Sequence, residues 1–168
     1  MRLILLIFSI ILLFTGCQSE EFITDGKYTY STYLSKDNKF GLNIMHPKQD
    51  KQNEQVFLAM VKLPYGNKYL NDKWIKKAHS FISQSWEKEY NLTVTILDRD
   101  YPQSTGFVSL KGQDIVVLLL EQGFLIVDQE SKYKSKYPDK FQEYVAVEEI
   151  AIRKGVGIWA HLDVRGEN

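Results

Sequence analysis

Val56-Phe57-Leu58-Ala59-Met60-Val61-Lys62-Leu63 is an almost unbroken apolar run of strand length, interrupted by one charge. A run of this kind predicts a strand buried on both faces, the centre of a sheet rather than its edge. Upstream the pattern changes to period two. Tyr28, Tyr30, Thr32 and Leu34 alternate with polar residues until the turn cluster Lys36-Asp37-Asn38-Lys39, and Phe40 to Met45 forms the return strand of a hairpin. The charged, amide-rich stretch from His46 to Glu54, opened by Pro47, reads as a loop.

Downstream of the run the period becomes helical. Trp74, Ala78, Phe81, Ile82 and Trp86 fall on one face of a helix spanning Asn71 to Trp86, with Asn71 or Asp72 as its cap. Leu92, Val94 and Ile96 return to period two. A turn over Asp98 to Thr105 then leads into a strand from Gly106 to Leu110. Asp114 to Gln122 reads as a short helix stopped by Gly123, where a left-handed residue is cheap for glycine. After a Tyr/Lys-rich surface loop from Ser131 to Tyr137, a last helix opens at Pro138 or Asp139 and ends at Gly155. Five strands, with one helix after the third and two after the fifth, predict an α+β fold: a five-stranded OB-type β-barrel with three α-helices.

The N-terminus carries a different signal. Arg2 precedes an apolar run from Leu3 to Phe14, then Thr15-Gly16 and Cys17, the sole cysteine of the chain. This is the layout of a bacterial lipoprotein precursor, in which residues 1–16 are a cleaved export signal and Cys17 takes the lipid. Phe14 stands where leucine is usual. Three acyl chains, the usual outcome of lipoprotein maturation, at about 0.8 kcal/mol per buried methylene, would make such a tether effectively permanent. Residues 17–26 are then the lipidated Cys and a polar tether, and 27–168 one folded domain. The expected location is the bacterial cell envelope, lipid-anchored and extracytoplasmic, at an outer membrane or a cell surface. With one cysteine no intramolecular disulfide is possible. Lys and Arg (21) balance Asp and Glu (21), so bulk charge points to no polyanionic partner, and a nucleic-acid target is not favoured.

Two C-terminal stretches carry a wider pattern: Leu119-Leu120-Glu121-Gln122-Gly123-Phe124, and Glu148 through Ala151 and Arg153 to Gly157-Ile158-Trp159. Together with Val61-Lys62-Leu63-Pro64, the Ala78 to Phe81 helix and Asp100-Tyr101, they resemble the staphylococcal nuclease (thermonuclease) family. The resemblance implies the same OB barrel with three helices, and a core position for Trp159. Members of that family hydrolyse phosphodiesters with calcium, acidic metal ligands, a glutamate base and two arginines.

The matching positions here are different. The acidic turn falls on Asp37-Asn38-Lys39, the first arginine on Phe57, the second metal aspartate on Lys62, the glutamate on Tyr65, and the second arginine on Gln103 or Ser104. No arginine occurs between Arg2 and Arg99. Ammonium groups at two metal-ligand positions repel a divalent cation. The resemblance therefore implies a nuclease-like domain without catalytic residues, without a metal and without a cofactor. Its groove, lined by Lys39, Phe57, Lys62, Tyr65, Tyr101 and Gln103, would serve binding to an acidic or phosphate-bearing ligand or an envelope protein. The alternatives are a divergent calcium-dependent extracytoplasmic nuclease and a structural envelope-assembly lipoprotein.

Elsewhere, His46, His79 and His161 have no partner at metal spacing. Asp98 and Asp100 could act as acid and base or bind a cation, but two acids in a Pro-containing turn read as solvated turn formers. Lys132, Lys134 and Lys136, interleaved with Tyr133 and Tyr137, make either a solvated loop or a platform for stacking and charge.

Overall fold

A computed structural model describes residues 20–24, 38–45, 53–65, 68–85, 92–100 and 103–160. Cys17, Asp37, Tyr101 and the expected strand from Tyr28 to Leu34 lie outside the described residues, as do Trp86, His46 and His161. The elements in chain order are β1 (Glu20–Thr24), β2 (Gly41–Met45), β3 (Asn53–Leu58), β4 (Val61–Lys62), α1 (Lys68–Ser85), β5 (Leu92–Asp100), β6 (Gln103–Leu110), β7 (Gln113–Asp114), α2 (Ile115–Glu121), β8 (Ile126–Val127) and α3 (Pro138–Lys154). A 3-10 turn at Gly157–Ala160 follows.

The main sheet runs β1-β5-β6-β3-β2, with β7 added to β6, and a second small sheet pairs β4 with β8. β3 and β6 are parallel, and the other neighbours are antiparallel. Mixed α+β architecture is as expected, but closure is not: among the described residues the sheet is open, ending at β1 and β2, and is not a closed barrel.

The opening stretch is buried as its composition demands, with Val56 through Val61 and Leu63 all at most 3 % exposed. It is not one strand, however. The chain turns at Ala59-Met60, where Met60 takes φ 63°, and β4 leaves for the second sheet. The broken ladder is satisfied locally: Ala59 N–H donates to Gly106 O at 3.0 Å, and Asp128 N–H donates to Met60 O at 2.9 Å.

Further boundaries differ from the sequence reading: β3 begins at Asn53, inside the stretch expected as a loop. Glu20–Thr24, expected in the tether, pairs residue by residue with Leu92–Ile96. Strands β5 and β6 run to Asp100 and from Gln103, so Asp98 sits on a strand, next to a register shift between Ile96 and Asp98, rather than in a turn. Helix α1 starts at Lys68, which places Asn71 inside it. Asn71 is buried and does not cap; its side chain accepts from Tyr65 N–H at 3.0 Å and donates to Tyr65 O, pinning the approach to the helix.

The C-terminal half follows its local signals. Asp114 caps α2, its Oδ1 accepting from Val116 N–H at 2.8 Å. Pro138 opens α3 and Gly155, at φ 61°, closes it. Gly123 and Gly157 meet backbone to backbone, and Ile158 N–H donates to Gly123 O at 3.0 Å. The fully buried residue of that segment is Ile158. Trp159, expected in the core, is half-buried.

His79 on α1 packs edge-on to Phe40, with ring centroids 6.2 Å apart, and burial lowers its pKa below the ordinary 6.5. A lowered value means that the folded state resists the proton. Stability is therefore complete above pH 6.5 and declines as pH falls below it. The slope is at most about 1.4 kcal/mol per pH unit, reduced by partial solvent contact. Glu148, whose pKa is raised by burial, acts with the opposite sign. Urea unfolding of wild type and His79→Leu at pH 7.5 and 5.5 should show the smaller acid-side loss in the variant.

Candidate functional site

A cleft of about 470 Å³ opens where the β3–β4 turn, the end of β5, the start of β6 and the loop after β8 converge. The strand ends bring Phe57, Asp98, Gln103, Ser104 and Thr105 to it; the loop adds Asp128, Glu130, Lys132 and Tyr133, and Lys39 enters ahead of β2. Of the six groove residues expected from the sequence, Lys39, Phe57 and Gln103 line this cleft. Lys62 stands at its margin, paired with the lining residue Asp128 at 3.6 Å. Tyr65 is not among the lining residues; its backbone is engaged by Asn71. Tyr101 lies outside the described residues.

The sequence reading missed the contact that crosses this cleft. Asp98 Oδ2 accepts from Lys132 Nζ and, at 3.2 Å, from Tyr133 OH. The hydrogen bond from Lys132 holds the Asp98 carboxyl below its ordinary range, and the same bond raises the Lys132 pKa. Burial raises that of Tyr133. Lys132 also lies 5.2 Å from the centroid of the Tyr133 ring. The alternation of lysine and tyrosine hinted at such a platform, but nothing local tied it to an aspartate 34 residues earlier.

Behind the wall of the cleft lies a second group. Glu54 is 3 % exposed; its Oε1 accepts from Ser104 Oγ, and Arg99 Nη2 lies 3.4 Å away. A buried carboxylate needs such partners, and their loss would leave an uncompensated charge. The signal was present in the sequence: Glu54 is in period-two register with Val56 and Leu58, on the face that becomes core. Arg99 is thus held by a structural carboxylate. Farther round, Glu148 on α3 accepts from Val127 N–H at 2.7 Å and so fixes β8, from which the cleft loop departs.

Calcium takes six to eight oxygen ligands, several of them carboxylates. Two cleft carboxylates, Asp98 and Asp128, each face a lysine ammonium instead. Among the described residues no three His, Cys, Asp or Glu side chains assemble to hold a metal. The described residues do not fit a calcium centre. They form a mixed polar and aromatic pocket.

A family model described as staphylococcal nuclease homologue matches residues 42–161. No curated protein matches the chain.

Proposed function

The chain belongs to the family of staphylococcal nuclease homologues, and from that premise we propose that it is a membrane-anchored extracytoplasmic lipoprotein whose nuclease-like domain binds an acidic or phosphate-bearing ligand and does not hydrolyse it. The observation that carries this reading is the pairing of two of the cleft carboxylates with lysines, Asp98 with Lys132 and Asp128 with Lys62. A cation would have to displace two ammonium groups to reach these carboxylates, whereas an anion can take the place of the carboxylates on the lysines. Phe57 and Tyr133 supply apolar and aromatic walls, and Gln103 an amide that can both donate and accept.

The mature chain, incubated with DNA or RNA in calcium, should release no more product than a buffer control. Pyrophosphate should bind it, and Lys39→Gln or Lys132→Gln should each weaken that binding about tenfold. Calcium-dependent cleavage abolished by chelator would overturn the binding reading in favour of a divergent nuclease. Failure to bind any anion would favour the envelope-assembly role.

Anchoring is tested separately. Cys17→Ser should release the protein from membranes under alkaline carbonate washing, whereas retention equal to wild type would leave residues 1–16 as an uncleaved anchor.

A further inference from the structure

The exposed face of α1 is cationic. Lys73, Lys76, Lys77, Ser80 and Gln84 are all exposed and fall within about a third of the helix circumference. The single acid of the helix, Asp72, is half-buried. Among the described residues none of these three lysines is in an ion pair; Lys77 and Lys73 instead lie 4.7 and 5.4 Å from the ring centroid of the buried Trp74. Beside Lys76 and Lys77 runs a groove of about 500 Å³, with Phe81 and Phe124 in its lining. Their rings pack edge to face at 5.8 Å. Gln122, Val156 and Gly157 also line it.

We propose that this face, with its lysines and the phenylalanines of the adjoining groove, docks on the anionic phospholipid headgroups of a bilayer. Charge complementarity is the first argument: three cations with no carboxylate among them meet a layer of phosphates. The chemistry of the cations is the second. Lysines are point charges on flexible stems, suited to a laterally fluid array of phosphates, whereas a partner of fixed geometry is better matched by arginine forks. The phenylalanine rings can pack against the first acyl-chain methylenes beneath the ester-bearing glycerol. The docking surface is separate from the cleft and does not need the lipid at Cys17. A tether there would add to it by raising the effective concentration of the bilayer.

Each lysine near an anionic surface contributes about fivefold to partitioning, so three contribute about 100-fold. The test uses the mature chain from residue 17 onward carrying Cys17→Ser, so that neither lipid nor signal peptide contributes. Cosedimentation is measured with phosphatidylcholine vesicles and with vesicles containing phosphatidylglycerol. Binding should require phosphatidylglycerol, weaken as salt rises, and fall about 100-fold in the triple variant Lys73→Gln, Lys76→Gln, Lys77→Gln. The control triple Lys111→Gln, Lys134→Gln, Lys136→Gln should bind as wild type, and circular dichroism should report both triples folded. Equal losses in the two triples, binding to pure phosphatidylcholine, or no vesicle binding would each overturn the proposal. So would binding to soluble polyglutamate but not to vesicles, which would mark an acidic protein as the partner.

Discussion

Gly157→Ala should destabilise the protein by about 4 kcal/mol, combining overpacking against backbone with a left-handed conformation imposed on a residue that has a Cβ. Gly157 has φ 60°, and a Cβ there would lie 2.2 Å from Gln122 O and 2.4 Å from Gly123 O. Real Cβ atoms do not approach oxygens so closely, and the obstacle is backbone, which cannot rotate away as a side chain would. Moving it would pull Gly123 off Ile158 N–H and disturb Ile158, which is fully buried. Since domains are stable by about 5–15 kcal/mol, the variant should lose a large share of its margin. Gly112→Ala is the matching control, because Gly112 also has positive φ, at 78°, yet nothing stands within 4 Å of its Cβ position. It should cost about 1 kcal/mol for conformation alone. Urea denaturation of the two variants separates the clash from the strain, and equal midpoints would show that the two glycine segments do not meet as described.

The same contact explains why two motifs quoted from distant parts of the sequence belong together. The Gly123 and Gly157 segments are the two sides of one backbone crossing, so neither glycine is interpretable without the other. Elements bounded by local chemistry were legible in the sequence: α2 between Asp114 and Gly123, and α3 between Pro138 and Gly155, follow directly from capping. Elements defined by partners were not. Nothing in Val56 to Leu63 announces the turn at Met60, a residue that seldom adopts positive φ. That turn exists because β4 is taken by β8 and the orphaned Met60 carbonyl is taken by Asp128. Likewise Glu20–Thr24 looks polar enough for a tether, and becomes a strand only because β5 presents an edge to it.

For the candidate site the division is similar. Lys39, Phe57 and Gln103 could be placed because they stand at positions matched by a family pattern. Asp98 could not, because its role depends on a loop 34 residues later folding back to deliver Lys132 and Tyr133. Glu54 was visible in principle, as a carboxylate in phase with core residues, and its partners Ser104 and Arg99 come from strands whose pairing the sequence does not declare. Charge pairing rather than residue type decides what the cleft can do. An aspartate counted in the sequence as a metal ligand or a solvated turn former is, in the fold, the internal counterion of a lysine.

The second large effect is expected at Asp114, where one side chain serves three partners. Its Oδ1 caps α2 through Val116 N–H; its Oδ2 accepts from Tyr144 OH at 2.7 Å and pairs with Lys140 Nζ at 2.5 Å. Tyr144 is completely buried, and its burial holds the phenol protonated, so the hydroxyl is always a donor in need of an acceptor. Asp114→Ala removes the cap, at about 1 kcal/mol, and strands that hydroxyl in the core, at about 1–3 kcal/mol more. A total near 3 kcal/mol follows. Tyr144→Phe should cost less, about 1.5 kcal/mol, because it deletes the donor and leaves Asp114 both its cap and its lysine. If the hydroxyl acts only through Asp114, adding Tyr144→Phe to Asp114→Ala should cost nothing further and should recover part of the loss, since no buried donor then remains unsatisfied. Additive losses in the double-mutant cycle would place the Tyr144 hydroxyl on some other acceptor and leave Lys140 as the link between α3 and the cap of α2.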